Sequence, residues 1–178
     1  MASQLKNEAL EELARINSDI LPTRISYNVD AAFFDHQKGK KDVRGFTSGI
    51  ILTPENRIVL ARRGKWFMPG GGVETGETFA QAMEREVMEE VGIPVYDLSL
   101  VAVDEEEFIA PDGDRVFSIL AVFAMKTDNT QLPQLTAGAR EEGIEGMALF
   151  EVGSIPEVMA LTDREKILSY FENLKPTL

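Results

Sequence analysis

The sequence predicts an α/β domain with a helical extension at its N-terminus, and three observations carry that prediction. Apolar, β-prone runs (FTSGIILT, RIVLAR, VYDLSLVAV, RVFSILAVFAM and MALFEV) are interleaved with helix-periodic segments at Thr78 to Val91 and after Thr162. Hydrophobic residues make up 44% of the chain and charged residues 27%, the usage of a folded protein with a sizeable core and not of a disordered one. The length of 178 residues suits one domain of ordinary size plus an addition, which divides the chain into an extension at 1–44 and a main domain at 45–178.

Taken in order, Leu5, Ala9, Leu10, Leu13 and Ile16 recur at helical spacing and predict an amphipathic helix. Its acids Glu8, Glu11 and Glu12 speak against a membrane surface, and the stripe Leu10, Leu13 and Ile16 could serve a homodimer. RISYNVDAAFF is β-prone, and HQKGKKD, which contains His36, reads as a polar loop. FTSGIILT (Phe46 to Thr53), the turn PEN and RIVLAR (Arg57 to Arg62) form a predicted hairpin, followed by the loop GKWFMPGGG. Thr78, with Gln81 three residues on, marks a capped helix start, and Gly92 marks its stop. Met83, Val87 and Val91 recur every four residues and would lie against a sheet. VYDLSLVAV and RVFSILAVFAM are strands flanking a turn at PDGD, the second too apolar on both faces for an edge. A polar loop, DNTQLPQLTAGAREEGIEG, leads to the strand MALFEV. The last helix, opened by Thr162 and Glu165, presents Ile167, Leu168, Phe171 and Leu174 to the core.

Composition excludes several chemistries. With no cysteine there is no thiolate nucleophile, disulfide or zinc–sulfur site, and one histidine, His36, leaves little imidazole chemistry. The N-terminus lacks the apolar core of a signal peptide and no run approaches a membrane span, so a cytoplasmic protein is expected. The net charge of −12 argues against a nucleic-acid partner. That charge is concentrated: eleven acids and one base lie between Glu74 and Glu107. Directly before them, Lys38, Lys40, Lys41, Arg44, Arg57, Arg62, Arg63 and Lys65 face only Asp42 and Glu55.

The Thr78 to Val91 helix poses a question of its own. Glu86, Glu89 and Glu90 project from one stripe, where like charges repel by roughly 0.2–0.5 kcal/mol per pair. Converging carboxylates without Cys or His describe a site for a hard divalent cation, Mg²⁺ or Mn²⁺ before Zn²⁺, and repulsion in the empty helix then becomes metal affinity. A solvated acidic face balanced by Lys and Arg would carry the same residues. Gly70, Gly71 and Gly72, just ahead of the helix, let main chain approach a ligand closely and suit a phosphate cradle.

Gly71, five residues, Glu77, seven residues, then Arg85-Glu86-Val87-Met88-Glu89-Glu90-Val91-Gly92-Ile93 is similar, without a mismatch, to the signature of the Nudix (MutT-like) hydrolase family. The resemblance implies an α/β/α sandwich with a mixed sheet from about Phe46 to Leu174, and a Mg²⁺-dependent pyrophosphohydrolase that releases a nucleoside monophosphate. It implies Glu86, Glu89 and Glu90 as metal ligands with the Gly71 carbonyl as a further one, Arg85 as the residue orienting the glutamates, and Glu77 as its support. For the general base it offers Glu89 first and Glu142 second, with Glu141 and Glu145 near. Arg62 or Arg63 is placed like the family's phosphate-contacting arginine, with one of the two expected to point to solvent. Trp66 and Phe67 are expected to pack under the glycine loop rather than stack on a base. Pro111, where family members acting on ADP-ribose often carry a proline, is fully explained as a turn residue. The substrate expectation is a nucleotide-derived small molecule: a nucleoside triphosphate, ADP-ribose or nucleotide sugar, or a dinucleotide polyphosphate. The alternative is a catalytically silent nucleotide-binding or regulatory module of the same fold.

Overall fold

The computed structural model describes residues 2–39, 44–132 and 134–174, and of 2–5 only the backbone. Lys40, Lys41 and Asp42 of the cationic segment, the boundary placed there, and the Leu5 side chain lie outside the described residues. The chain runs α1 (Ala2–Ile16), β1 (Thr23–Asn28), α2 (Ala31–Gly39), β2 (Phe46–Leu52), β3 (Ile58–Arg63), β4 (Lys65–Phe67) and β5 (Gly70–Gly72). It continues with α3 (Phe79–Glu90), β6 (Tyr96–Ile109), β7 (Arg115–Lys126), α4 (Ala137–Glu141), β8 (Gly146–Phe150), a 3-10 turn at Val152–Ser154 and α5 (Asp163–Leu174).

The strands form one mixed sheet in the order β1-β6-β7-β2-β3-β4, with β5 on β2 and β8 on β3. The β1–β6 and β2–β7 pairs are parallel and the others antiparallel. Strand alternation then feeds two cores. Ile51 of β2 and Ile119, Ala121, Phe123 and Met125 of β7 meet α1 and α3 on one face. Ile50 and Leu52 of β2 with Val122 and Ala124 of β7 meet Ile167 of α5 on the other. Burial on both faces is why these strands read as continuous apolar runs, and each fully buried Ile or Leu contributes roughly 1.5–3 kcal/mol. The result is an α/β/α sandwich in which β7 is central, as its sequence predicts.

Residues 2–39 join this framework. Ala9 and Leu13 of α1 are fully buried in the α3-side core, leaving Ile16 of the predicted stripe exposed. Glu12 binds Arg44 at 2.7 Å and accepts from the Phe79 amide at 2.9 Å. Segment β1 pairs along the acidic run of β6, and alternation sorts that run. Asp104 and Glu106 point inward, while Glu105 and Glu107 point outward to Lys6, Arg24, Ser26 and Arg115.

Several expectations give way to tertiary context. The AAFFDHQKG part of the β-prone and loop segment is helix α2, started by Asp30, whose Oδ1 accepts from the Phe33 amide at 2.8 Å, so His36 is helical and not in a loop. The predicted loop GKWFMPGGG forms β4 and β5, because β5 finds ladder partners in Phe46 to Ser48 of β2. The polar loop before β8 contains α4, and β6 extends through the acids to Ile109. Leu174 is not in the core but 57% exposed. No helix among the described residues is long and apolar enough to cross a membrane.

Candidate functional site

The site is organised by α3. Its start is the predicted capping box: the Thr78 hydroxyl accepts from Gln81 N and the Gln81 side chain accepts from Thr78 N. Its stop is Gly92, whose positive φ of 73° lets its amide reach back to Val87 O at 3.0 Å. Met83, Val87 and Val91 are fully buried against the sheet, so the glutamate stripe is turned toward β5.

Arg85 holds the stripe together. Its guanidinium donates to both carboxylate oxygens of Glu77 (2.7 and 3.1 Å), to Glu86 (2.8 Å), to Glu89 (3.1 Å) and to the Gly72 carbonyl (2.8 Å). Glu77 is thereby held below the usual carboxylate range by its hydrogen bonds to Arg85, and the guanidinium is pushed up by the same partners. This arginine answers part of the opening repulsion, since one cation is shared by three box glutamates.

Two of the stripe's carboxylates are not at an open margin. Glu86 is 7% exposed and Glu90 2%. Burial raises the Glu86 carboxyl, against the pull of Arg85, and pushes Glu90 up to about 8, against a hydrogen bond from the Gly70 amide at 2.8 Å. The neighbouring negative charge of Glu142 raises both. Glycine is required here for space: a Cβ on Gly70 would collide with the Thr47 carbonyl oxygen, and one on Gly71 with the Glu86 carboxylate. The triple glycine therefore lays main chain directly against the box acids.

The loop between β7 and β8 delivers a further carboxylate. Glu142 caps the C-terminus of α4, and Glu86, Glu89 and Glu142 each offer an oxygen within 4.8 Å of the other two. A donor set of carboxylates alone, with Glu90 buried beside it, fits a hard divalent cation. Glu141 and Glu145 are exposed, and Glu145 lies 3.5 Å from Arg62. Both Arg62 and Arg63 are exposed, contrary to the expectation that only one would be. Each lies over an aromatic ring, Arg62 over Trp66 at 5.7 Å and Arg63 over Phe67 at 5.5 Å, and Arg63 also donates to the Glu142 carbonyl at 2.9 Å. Trp66 packs edge-on against Phe150 at 4.9 Å and Phe67 against the small core around Ala61 and Ile144, which are not the glycine loop under which both were expected to pack. Pro111 lies in an exposed turn closed by Ala110 and Asp114.

Sequence reasoning did not single out Thr136. Its hydroxyl donates to the Glu89 carbonyl at 2.6 Å and accepts from the Ala139 amide at 3.0 Å, tying α4 to the end of α3. The signal was present, since a threonine before AGARE is an ordinary helix start. It also missed a buried polar cluster under α5: Lys166 lies 2.7 Å from Asp104, near Glu106 and Asp163.

A three-layer α/β/α sandwich whose arginine-clamped glutamate helix follows a glycine strand is the architecture of the Nudix class. The family profile described as NUDIX domain matches residues 43–171, and the chain belongs to the Nudix family. It is 33% identical over 91 residues to the 8-oxo-dGTP diphosphatase of Proteus vulgaris, a match covering 47% of this chain and 80% of that protein. Against the mouse 8-oxo-dGDP phosphatase NUDT18 it is 32% identical over 72 residues, 37% of this chain and 22% of that protein, so the chain spans well under half the length of that relative. The crystal structure of the Bacillus halodurans MutT protein aligns with a TM-score of 0.53 and 26% identity over 69% of this chain and 78% of that one.

Proposed function

We propose that the chain is a Mg²⁺-dependent pyrophosphohydrolase that cleaves the phosphoanhydride of a nucleoside diphosphate linked to another group and releases a nucleoside monophosphate. The observation that carries the reading is the approach of Glu86, Glu89 and Glu142 to within 4.8 Å in front of a glycine strand. Glu86, Glu89 and Glu90, with the Gly71 carbonyl, would hold the cation, Mg²⁺ with Mn²⁺ as substitute. Bound there, it would supply neutralisation of pyrophosphate charge and activation of water.

The chain's own residues do the rest. Arg85 and Glu77 fix the box glutamates in one arrangement, so that little reorganisation is needed when substrate arrives. Glu89 or Glu142 takes the proton of the attacking water. Glu142 suits that task because it is exposed and free of the Arg85 clamp that engages Glu89. Arg62 and Arg63 present charge to the phosphates from the end of β3, and the main chain of Gly70 to Gly72 lets phosphate oxygens approach without side-chain hindrance.

The activities of the Proteus and mouse relatives support a nucleoside di- or triphosphate as the first substrate class to try, ahead of ADP-ribose, a nucleotide sugar or a dinucleotide polyphosphate. A cytoplasmic location belongs to the same proposal. The test is incubation with Mg²⁺ and one member of each substrate class, following monophosphate by chromatography. Turnover of one class, lost by about 100-fold or more in a folded Glu89→Gln variant, is the expected result. Tight binding of a compound with no turnover of any would overturn the hydrolase in favour of a sensor.

A further inference from the structure

We infer that Thr136 is a positioning residue that latches the Glu142 loop onto the metal-binding helix. The inference rests on the reading of Glu142 as general base. Three carboxylates brought within 4.8 Å of one another repel, and Glu142, alone of the three, sits on a short exposed element that could swing away. Contacts outside the three carboxylates must hold it in place.

Among the contacts of the described residues that fasten that element, three matter here. Ala139 is fully buried against Ala61 and Ile144, and Arg63 donates to the Glu142 carbonyl. These two anchor α4 to β3 and its surroundings. The third, Thr136, joins α4 to α3 itself, because one hydroxyl does two things. As donor it reaches the main-chain carbonyl of Glu89, the residue whose carboxylate faces Glu142; as acceptor it caps the first turn of α4 through Ala139 N. The Glu89 carbonyl belongs to the last turn of α3, where carbonyls have no partner within the helix, so the bond satisfies a group that would otherwise need water. Thr136 and Glu142 bracket the five-residue helix Ala137–Glu141, so the hydroxyl at one end helps set where the Glu142 carboxylate stands relative to the box acids.

The consequence is a specific division of effects. Thr136 touches neither phosphate nor metal, so its loss should leave substrate affinity alone and lower the rate at which a correctly placed Glu142 acts. Misplacement on the order of 1 Å costs up to about 100-fold in rate. Valine keeps the shape of threonine and removes the hydroxyl; serine restores it.

The experiment compares Thr136→Val, Thr136→Ser, Glu142→Gln and the Thr136→Val/Glu142→Gln double variant. Two readouts are used: steady-state kinetics on the best substrate, and hydrogen exchange of the 139–142 amides in metal-free protein. The expected kinetics are a kcat lowered about 10- to 100-fold in Thr136→Val with KM within about threefold, and near wild-type kcat in Thr136→Ser. In the Glu142→Gln background the valine substitution should cost nothing further, because the residue acts through Glu142. Exchange of the Ala139 to Glu142 amides should rise about tenfold or more in Thr136→Val and not in Thr136→Ser. Unchanged exchange would overturn the latch whatever the activity. Unchanged kcat, or an undiminished loss in the Glu142→Gln background, would overturn the positioning role. A wild type that turns over no nucleotide yet shows the exchange difference would overturn the hydrolase reading and the catalytic use of the latch, while the latch itself stood.

Discussion

Gly71 and Arg85 show how tightly single residues constrain the site. The Glu86 carboxylate fills the space a Cβ at Gly71 would need, and Arg85 ties Glu86, Glu89, Glu77 and the Gly72 carbonyl into one unit. A methyl group at position 71 therefore has to displace the carboxylate or the strand. Gly71→Ala should weaken Mn²⁺ binding, read by the EPR signal of free Mn²⁺, by about tenfold or more, the scale seen when groups orienting metal ligands are disturbed. Gly153→Ala, at a position with nothing within 4 Å, should bind Mn²⁺ like wild type. Equal affinity in the two variants would mean that the packing of the Glu86 carboxylate against position 71 does not bear on metal binding. The sequence exposes the box glutamates through their helical spacing. Which loop acid joins them depends on the turn of α4, so the choice of Glu142 over Glu141 and Glu145 came from the family resemblance and not from the spacing of the loop acids.

At the level of elements, legibility follows how local the determinants are. Helix α3 is written in its own sequence, with Thr78 and Gln81 at one end and Gly92 at the other, and β7 in its unbroken apolar run. Strands β4 and β5 are three residues each, too short to show a period, and exist because β3 and β2 offer free edges. The acids of β6 disguise a strand whose alternation becomes visible only once α1 and β1 supply partners for Glu105 and Glu107, and α5 one for Asp104. Helix α1 lies outside the span matched by the family profile, yet Leu13 is part of the core that backs α3. Leu13→Ala should cost about 2–5 kcal/mol, measured by urea unfolding, as for other buried leucines. A loss under about 0.5 kcal/mol would mean that α1 is dispensable to the domain.

For the whole molecule, the buried acids set a pH dependence. Burial pushes the carboxyls of Glu90 to about 8, Glu106 to about 7 and Asp163 to about 6, against ordinary values of 4.5 for Glu and 3.8 for Asp. Folded protein thus keeps protons that the unfolded chain releases. The stability this confers is complete below the ordinary values and drains away as pH rises through the folded ones. In EDTA the Tm should fall as pH rises from about 5 to about 8, and saturating Mg²⁺ should recover more of it at pH 8 than at pH 6, where Glu90 still holds its proton. A metal-free Tm that rises across the same range would contradict the buried placement of these groups. The central claim of the proposed function is that the Glu86, Glu89 and Glu90 carboxylates hold a divalent cation at which a phosphoanhydride is hydrolysed. The most direct measurement is the rate of monophosphate release against Mg²⁺ concentration for the wild type and Glu86→Gln. The claim predicts saturable, Mg²⁺-dependent turnover in the wild type and a loss of about 100-fold or more in the variant at the same Mg²⁺. Turnover that persists in EDTA, or a variant indistinguishable from wild type, would contradict it.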